Sequence, residues 1–340
     1  MAATIKDIAK RLNISVSTVS YALNGGPRPV PDEVREKVVA VARELNYRPN
    51  WVARSMVTGR TNTIGVIPSG TGPNSFLSPY VIAVLNSITN IASTRNQDLL
   101  LVTGFRTDRP AELVDHLLGG RVDGAVFIAP GFEPSVIRDL REAGLAVVTI
   151  AGPAIPGVTD YRSDNREGVF SALRHLVDLG HRKIANISGR PNMADTTARQ
   201  RAYVEFLERN DLPRRPEWMA EGNFVIEGGF DAMRRFLRLE ERPTAVFCAN
   251  DEMAIGAVQA CVSAGVRVPE EMSIVGFDAA PGSSYIQPAL TTVRQPIPDM
   301  VEAAIESIAR MFAGEDPIPS TVFPTELIVR ASTSRPLEDS

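Results

Sequence analysis

The chain is poor in the side chains that most metal and redox chemistry needs, with two cysteines and three histidines in 340 residues. Cys248 and Cys261 have no C-x-x-C spacing, and His116, His175 and His181 form no ligand set near them. Reduced thiols are expected, and neither a metal nor a cofactor. No eighteen apolar residues run together, and MAATIKDIAK lacks the apolar stretch of a secretory signal. A cytoplasmic protein with no membrane partner is therefore expected. Enzyme signatures are missing too: there is no G-x-S-x-G elbow, no Walker loop and no G-x-G-x-x-G, and SGTGPNS (69–75) lacks the phosphate-loop spacing and its lysine. With so few histidines a catalytic triad has little to draw on, and a non-enzyme is expected.

What is present is an ordinary globular composition, 44% hydrophobic and 22% charged. The formal net charge of −4 is unevenly spread: residues 1–60 carry +5 and the remainder −9. A basic head on an acidic body points to a polyanionic partner for the head alone.

In the head, TIKDIAKRL opens with a Thr4-x-x-Asp7 cap signature and places Ile5, Ile8, Ala9 and Leu12 on one face of a short helix. Asn13 suits a tight turn, and Ser15 can cap a second helix within ISVSTVSYALN (14–24). On that helix Thr18, Val19, Ala22 and Leu23 share one side, and Val16, Ser17, Ser20 and Tyr21 the other, with no charge on either. A third helix is expected from Pro31, with Val34, Val38, Val41, Ala42 and Leu45 as its stripe. This is a helix-turn-helix pattern, in which an uncharged outer face can read base edges and thymine methyls in the major groove.

ATIKDIAKRLNISVSTVSYALNG, followed by REKVVAVARELNYRPNWVARSMVTGRTNTIGVI, resembles the head of the lactose-repressor (LacI/GalR) family of bacterial transcription regulators. The resemblance is dense over about seventy positions and looser to the C-terminus. It implies that Val16, Ser17 and Tyr21 read bases, with Thr4, Ser15, Thr18, Ser20 and Asn24 at backbone-contact positions. Many relatives have arginine in place of Tyr21; tyrosine cannot make the bidentate contact to guanine, so a different operator base is implied. RPNWVARSMVTG (48–59) is bounded by Pro49 and Gly59 and is too short for a stable isolated helix. The resemblance makes it a hinge helix that folds on DNA. Asn50, Ala53 and Arg54 would lie along the duplex, and Met56 would wedge into the minor groove where leucine is usual.

From Thr61 short apolar runs alternate with helical stretches, first TIGVIPS, DLLLVTG, GAVFIAP and AVVTIAG, then KIANISG, AVFCAND, SIVGFD, TTVRQP and TELIVRAS. Two such sets predict an α/β body of two lobes, each a doubly wound parallel sheet, resembling type I periplasmic binding proteins. The expected divisions are 1–47 for the all-α DNA-binding domain and 48–60 for the hinge helix. The N-terminal lobe is expected to take 61–160 with 293–320, and the C-terminal lobe 161–292 with 321–340. A ligand belongs in the cleft at the strand C-termini, and lobe closure is the natural motion. By resemblance Arg199, Phe224, Asn250 and Asp278 occupy effector-contacting positions, with Tyr80 from the first lobe. A carboxylate, an amide and a guanidinium can hold vicinal hydroxyls while an aromatic face stacks on a ring. TIAGPAI (149–155) departs from the family, offering Ala151 and Gly152 where relatives often have Asp or Asn. Asp251 is expected to cap the helix from Glu252, and His175 and His181 are expected to be structural.

The expectation is a homodimeric, effector-gated regulator, most simply a repressor on a pseudo-palindromic operator, with a sugar-like effector rather than a nucleobase. The tail SRPLEDS offers no coiled coil that would imply a tetramer. The alternatives are a small-molecule receptor with no role on DNA, and a hydrolase on the same two-lobed scaffold.

Overall fold

The computed structural model describes residues 3–25, 28–48, 55, 59–68, 78–103, 109–131 and 133–337. The chain divides into two compact units, Met1–Asn62 and Thr63–Ser340.

The first unit holds α1 (Ile5–Leu12), α2 (Val16–Asn24) and α3 (Asp32–Glu44). The Thr4 backbone N–H and hydroxyl both donate to Asp7 Oδ2, at 2.8 and 2.7 Å, which fixes the start of α1. Asn13 ends it in the left-handed region at φ +52°, a conformation a short polar side chain tolerates. Ser15 Oγ then accepts from the Thr18 N–H at 2.9 Å and caps α2. Ile8, Ala9, Val19, Ala22, Val30, Val38, Val41 and Ala42 make one small core. It is modest for a unit of this size, so each cap weighs more heavily on stability than it would in the body.

The second unit contains two six-stranded sheets. The first lobe has β1 (Thr63–Pro68), β2 (Asp98–Leu101), β3 (Gly124–Ile128), β4 (Ala146–Ile150), β5 (Thr159–Ser163) and β11 (Thr321–Phe323), in the order β11-β5-β4-β3-β1-β2. The second has β6 (Ile184–Ser188), β7 (Met219–Glu221), β8 (Ala245–Cys248), β9 (Ser273–Asp278), β10 (Thr291–Arg294) and β12 (Glu326–Ile328), in the order β12-β10-β9-β8-β6-β7. Every described pairing is parallel except β10 with β12. Helices α4 (Pro79–Thr94), α5 (Pro110–Leu118) and α6 (Pro134–Glu142) belong to the first lobe. Helices α7 (Asn165–Asp178), α8 (Ala194–Arg209), α9 (Ile226–Phe236) and α10 (Asp251–Ser263) belong to the second. The last helix, α11 (Ile297–Phe312), returns to the first lobe and buries Met300, Val301, Ala304 and Ile308 against Val84, Ile88 and Val148.

β3, β4 and β6 are buried along their whole length, as strands covered on both faces must be. Polar TDYRS (β5) and the three-residue strands β7 and β11 escape that signal. The chain crosses between lobes after Ser163, after Arg294 and after Phe323, where β5, β10 and β11 end, a few residues beyond each expected boundary.

Candidate DNA-reading face and effector cleft

On α2, Val19 and Ala22 are buried and Leu23 packs half-buried against the same core. Ser15, Val16 and Ser17 are exposed, Val16 at 42%. The hydroxyls of Ser17 and Thr18 lie 2.8 and 2.7 Å from Ser15 Oγ, so three hydroxyls gather at the start of the helix. Ser15 is thereby committed to capping, and the Thr4 hydroxyl to Asp7. Ser20, Tyr21 and Asn24 are half-buried, the Tyr21 side chain packing against the core. Lys6, Lys10, Arg28, Arg35 and Arg43 are exposed on the same unit, a positive field suited to phosphates. Asn50, Ala53, Arg54 and Met56 lie outside the described residues. Nearby, Gly59 at φ +67° donates its N–H to Ser55 O at 2.8 Å.

In the body, four of the five cleft residues expected from the sequence lie in the second lobe around Arg199. This side chain is 3% exposed, with its guanidinium 3.8 Å above the Phe277 ring. Nε donates to Asn165 Oδ1 at 2.7 Å and Nη1 to the Ala249 carbonyl at 2.5 Å. Asp195 Oδ2 lies 3.4 Å from Nη2 and Asp278 Oδ1 3.6 Å from Nη1. Asp278 ends β9 at φ +115°, a backbone conformation that carries strain for a residue with a Cβ. Burial pushes its pKa up to about 7, with Arg199 opposing and Asp251 adding to the rise. Glu252, at the start of α10, is raised to about 7 by burial and by the charges of Asp278 and Glu227.

Asn250 caps α10 by accepting from the Met253 N–H at 3.0 Å, while its Nδ2 donates to the Phe224 carbonyl at 3.2 Å. It therefore holds Phe224, which sits at φ +62°, in place. The cap on this helix is Asn250 and not Asp251. Asp251 is 1% exposed and clamps the next loop instead, accepting from the Ala280 N–H at 2.7 Å and the Thr292 hydroxyl at 2.5 Å.

Tyr80, on α4, comes from the first lobe. Its hydroxyl is buried with no hydrogen-bond partner among the described residues, and its pKa is raised well above the ordinary value by burial and by the charges of Asp195 and Asp278. A first-lobe phenol thus senses second-lobe carboxylates across the cleft, where Met193 also packs on the first-lobe core. Segment 149–155 does have a carboxylate beside it. Asp160, on β5, accepts from Thr149 Oγ1 at 2.5 Å, from the Gly152 N–H at 2.8 Å and from Arg162 Nε at 2.6 Å. A Cβ on Gly152 would lie 2.7 Å from Thr149 Oγ1, so glycine is what lets this bond form.

Asp195, Glu252, Asn165 and Gln295 join the polar set although the sequence does not single them out. Asp195 has a signal, standing four residues before Arg199 on the same helix face. His175 and His181 tie the C-terminal segment to the second lobe: His181 bonds Thr244, Ser273 and the Ser334 carbonyl at 2.9 to 3.0 Å, and His175 bonds Thr333 at 2.9 Å.

A three-helix unit with an uncharged outer face on its second helix, on one chain with a two-lobed ligand-binding body, defines an effector-responsive DNA-binding transcriptional repressor. Residues 4–50 match the model of bacterial regulatory proteins of the lacI family, and residues 173–333 that of a periplasmic binding protein-like domain. The HTH-type transcriptional repressor PurR of Mannheimia succiniciproducens is 33% identical over 338 residues, covering 98% of this chain and 99% of that one. PurR of Erwinia tasmaniensis is 33% identical, at 99% coverage of both. Among solved structures, the lac repressor dimer bound to operator and the anti-inducer ONPF aligns with a TM-score of 0.87 at 25% identity, covering 98% of this chain and 100% of that one. A complex of the regulator CelR with cellobiose aligns at 0.74 and 28% identity, covering 97% and 99%. The chain belongs to the lacI family of bacterial regulatory proteins.

Proposed function

We propose that the protein acts in the cytoplasm as a homodimer on a pseudo-palindromic operator, without catalysis, and that an uncharged polyhydroxylated effector binds between its lobes. Val16, Ser17 and Tyr21 read base edges. Thr4, Ser15, Thr18, Ser20 and Asn24 face the backbone, and Asn50, Ala53, Arg54 and Met56 engage the minor groove. Tyr80, Arg199, Phe224, Asn250 and Asp278 form the effector site.

One observation carries the effector class. The Arg199 guanidinium already stands between Asp195 and Asp278, so its charge is committed and not offered to a phosphate or carboxylate. What the cleft offers is carboxylate acceptors, the buried Tyr80 hydroxyl and the Phe224 ring, which suit a ligand rich in O–H donors with one apolar ring face. CelR with cellobiose is a neighbour of that kind. The relatives named PurR favour a second reading, a purine on the Phe224 ring.

Thermal melting of the full chain against neutral sugars, sugar phosphates and purines decides among these, since a ligand of the folded state raises the midpoint. Neutral sugars are expected to stabilise, and a sugar phosphate more stabilising than its parent sugar overturns the class. For the DNA reading, a duplex selected from a random-sequence pool should show a protected palindrome on footprinting, weakened steeply by salt. A footprint without two-fold symmetry overturns it.

A further inference from the structure

The three crossovers between the lobes are stitched together, and the stitches end on the cleft. Ser163, the last residue of β5, donates its hydroxyl to Gln295 Oε1 at 2.6 Å. Gln295, one residue past β10 and 4% exposed, donates through Nε2 to Asp278 Oδ1 at 2.7 Å. Asp164, which follows Ser163, donates its N–H to the Phe323 carbonyl at the third crossover, at 2.7 Å. Asn165 accepts from Arg199 and donates to Asp195 Oδ1 at 2.8 Å.

We propose that Gln295 is a positioning residue that couples the cleft to the lobe angle, by bridging Ser163 on the first crossover to Asp278 in the cleft. The proposal rests on reading the cleft as the effector site.

The chemistry of the three groups fixes the direction of the chain. An ionised carboxylate accepts and cannot donate, so the Gln295 amide nitrogen must face Asp278 and its oxygen must face Ser163. The Ser163 hydroxyl is then obliged to donate. While Asp278 is ionised, no member can reverse without leaving a buried donor or acceptor unpaired, so in that state the bridge has one bonded arrangement and one broken one. A cleft ligand that donates to Asp278 Oδ1 competes with Gln295 for that oxygen. Losing that bond releases the second crossover from the cleft while the backbone bond from Asp164 still ties the first crossover to the third. The first lobe, which begins at Thr63, can then take a second angle relative to the other lobe.

The test needs no effector. Operator affinity of the full chain is measured by fluorescence anisotropy on a duplex selected from a random-sequence pool, for wild type, Gln295→Met, Gln295→Glu and Ser163→Ala. Gln295→Met keeps the length and removes both bonds, and Gln295→Glu sets an acceptor against Asp278. Ser332→Ala serves as control: Ser332 is fully buried in the second lobe and bonds Ile274 O and the Thr291 N–H, apart from the crossovers. Both Gln295 variants are expected to shift operator affinity at least fivefold, with Ser163→Ala shifting it in the same direction. Ser332→Ala should lower the melting midpoint and leave operator affinity within twofold. If the Gln295 variants stay within twofold of wild type, or if Ser332→Ala moves affinity as far as they do, the coupling role is overturned. Should Gln295→Glu fail to fold, Gln295→Met and Ser163→Ala decide the question by the same thresholds. Failure of the effector reading shows in the melting screen instead, so the two are separable.

Discussion

The Phe224 ring lies on the backbone of Gly189, so close that a Cβ added there would sit 1.9 Å from the ring's Cζ. The strand end at β6 therefore sets the height of the Phe224 ring in the proposed effector site. Gly189→Ala should tilt or lift that ring, weakening effector binding about tenfold or more at a folding cost of about 1–3 kcal/mol, the range for overpacking. Paired melts with and without the best stabilising sugar check it; an unchanged ligand-induced shift would remove Phe224 from the site.

Asp278→Asn should stabilise the body while abolishing its response to effector. A carboxylate held at about 7 in the folded state is less costly protonated, so its relative contribution is present below its ordinary value and is lost as pH rises through 7. The variant's melting midpoint minus that of wild type should grow between pH 5 and pH 8, reaching a few degrees. A flat difference across that range would mean that Asp278 is not carrying its charge at a cost.

His181 works with the opposite sign. Burial lowers its pKa, so the folded state holds the neutral ring, and stability is fully present above about 6.5 and declines as pH falls below it. His181→Gln should cost about 1–2 kcal/mol at pH 8 through a lost hydrogen bond and show a shallower decline from pH 6.5 to 5. Melting curves at half-unit pH steps provide the check.

On the DNA-reading unit, Val16→Ala should lower affinity for the selected operator roughly fivefold, about 1 kcal/mol, and relax preference at one base pair per half-site. Because Val16 is exposed, stability and the slope of affinity against salt should not change. A uniform loss across all sequences would place Val16 away from the bases.

Ser15→Ala, by contrast, should act through folding. It removes the cap that Ser15 provides to the Thr18 N–H, at a cost of about 0.5–2 kcal/mol. Amide exchange across residues 16–24 should accelerate, a change that Val16→Ala does not produce.

The elements legible in the sequence are those whose physics is local. Caps at Thr4 and Ser15, the Asn13 turn and the apolar runs of β3, β4 and β6 declare themselves within a few residues. β5 does not, because TDYRS is a strand by virtue of pairing with Ile150 and Val322, partners remote from its own composition. In the cleft, Arg199 and Asp278 stand out through resemblance, whereas Gln295 and Asn165 acquire meaning from contacts 132 and 34 residues away in the chain. Asp160 escapes notice for the same reason: the group that satisfies segment 149–155 is not in that segment.

Three strand crossings join the two lobes, so neither lobe is encoded by an unbroken stretch of gene. Recombination at one breakpoint can replace residues 1–62 wholesale and hand the body a new operator preference, but transplanting a complete lobe demands several coordinated junctions. Exchange of the head thus takes one junction, and exchange of a lobe takes a matched junction at each crossing.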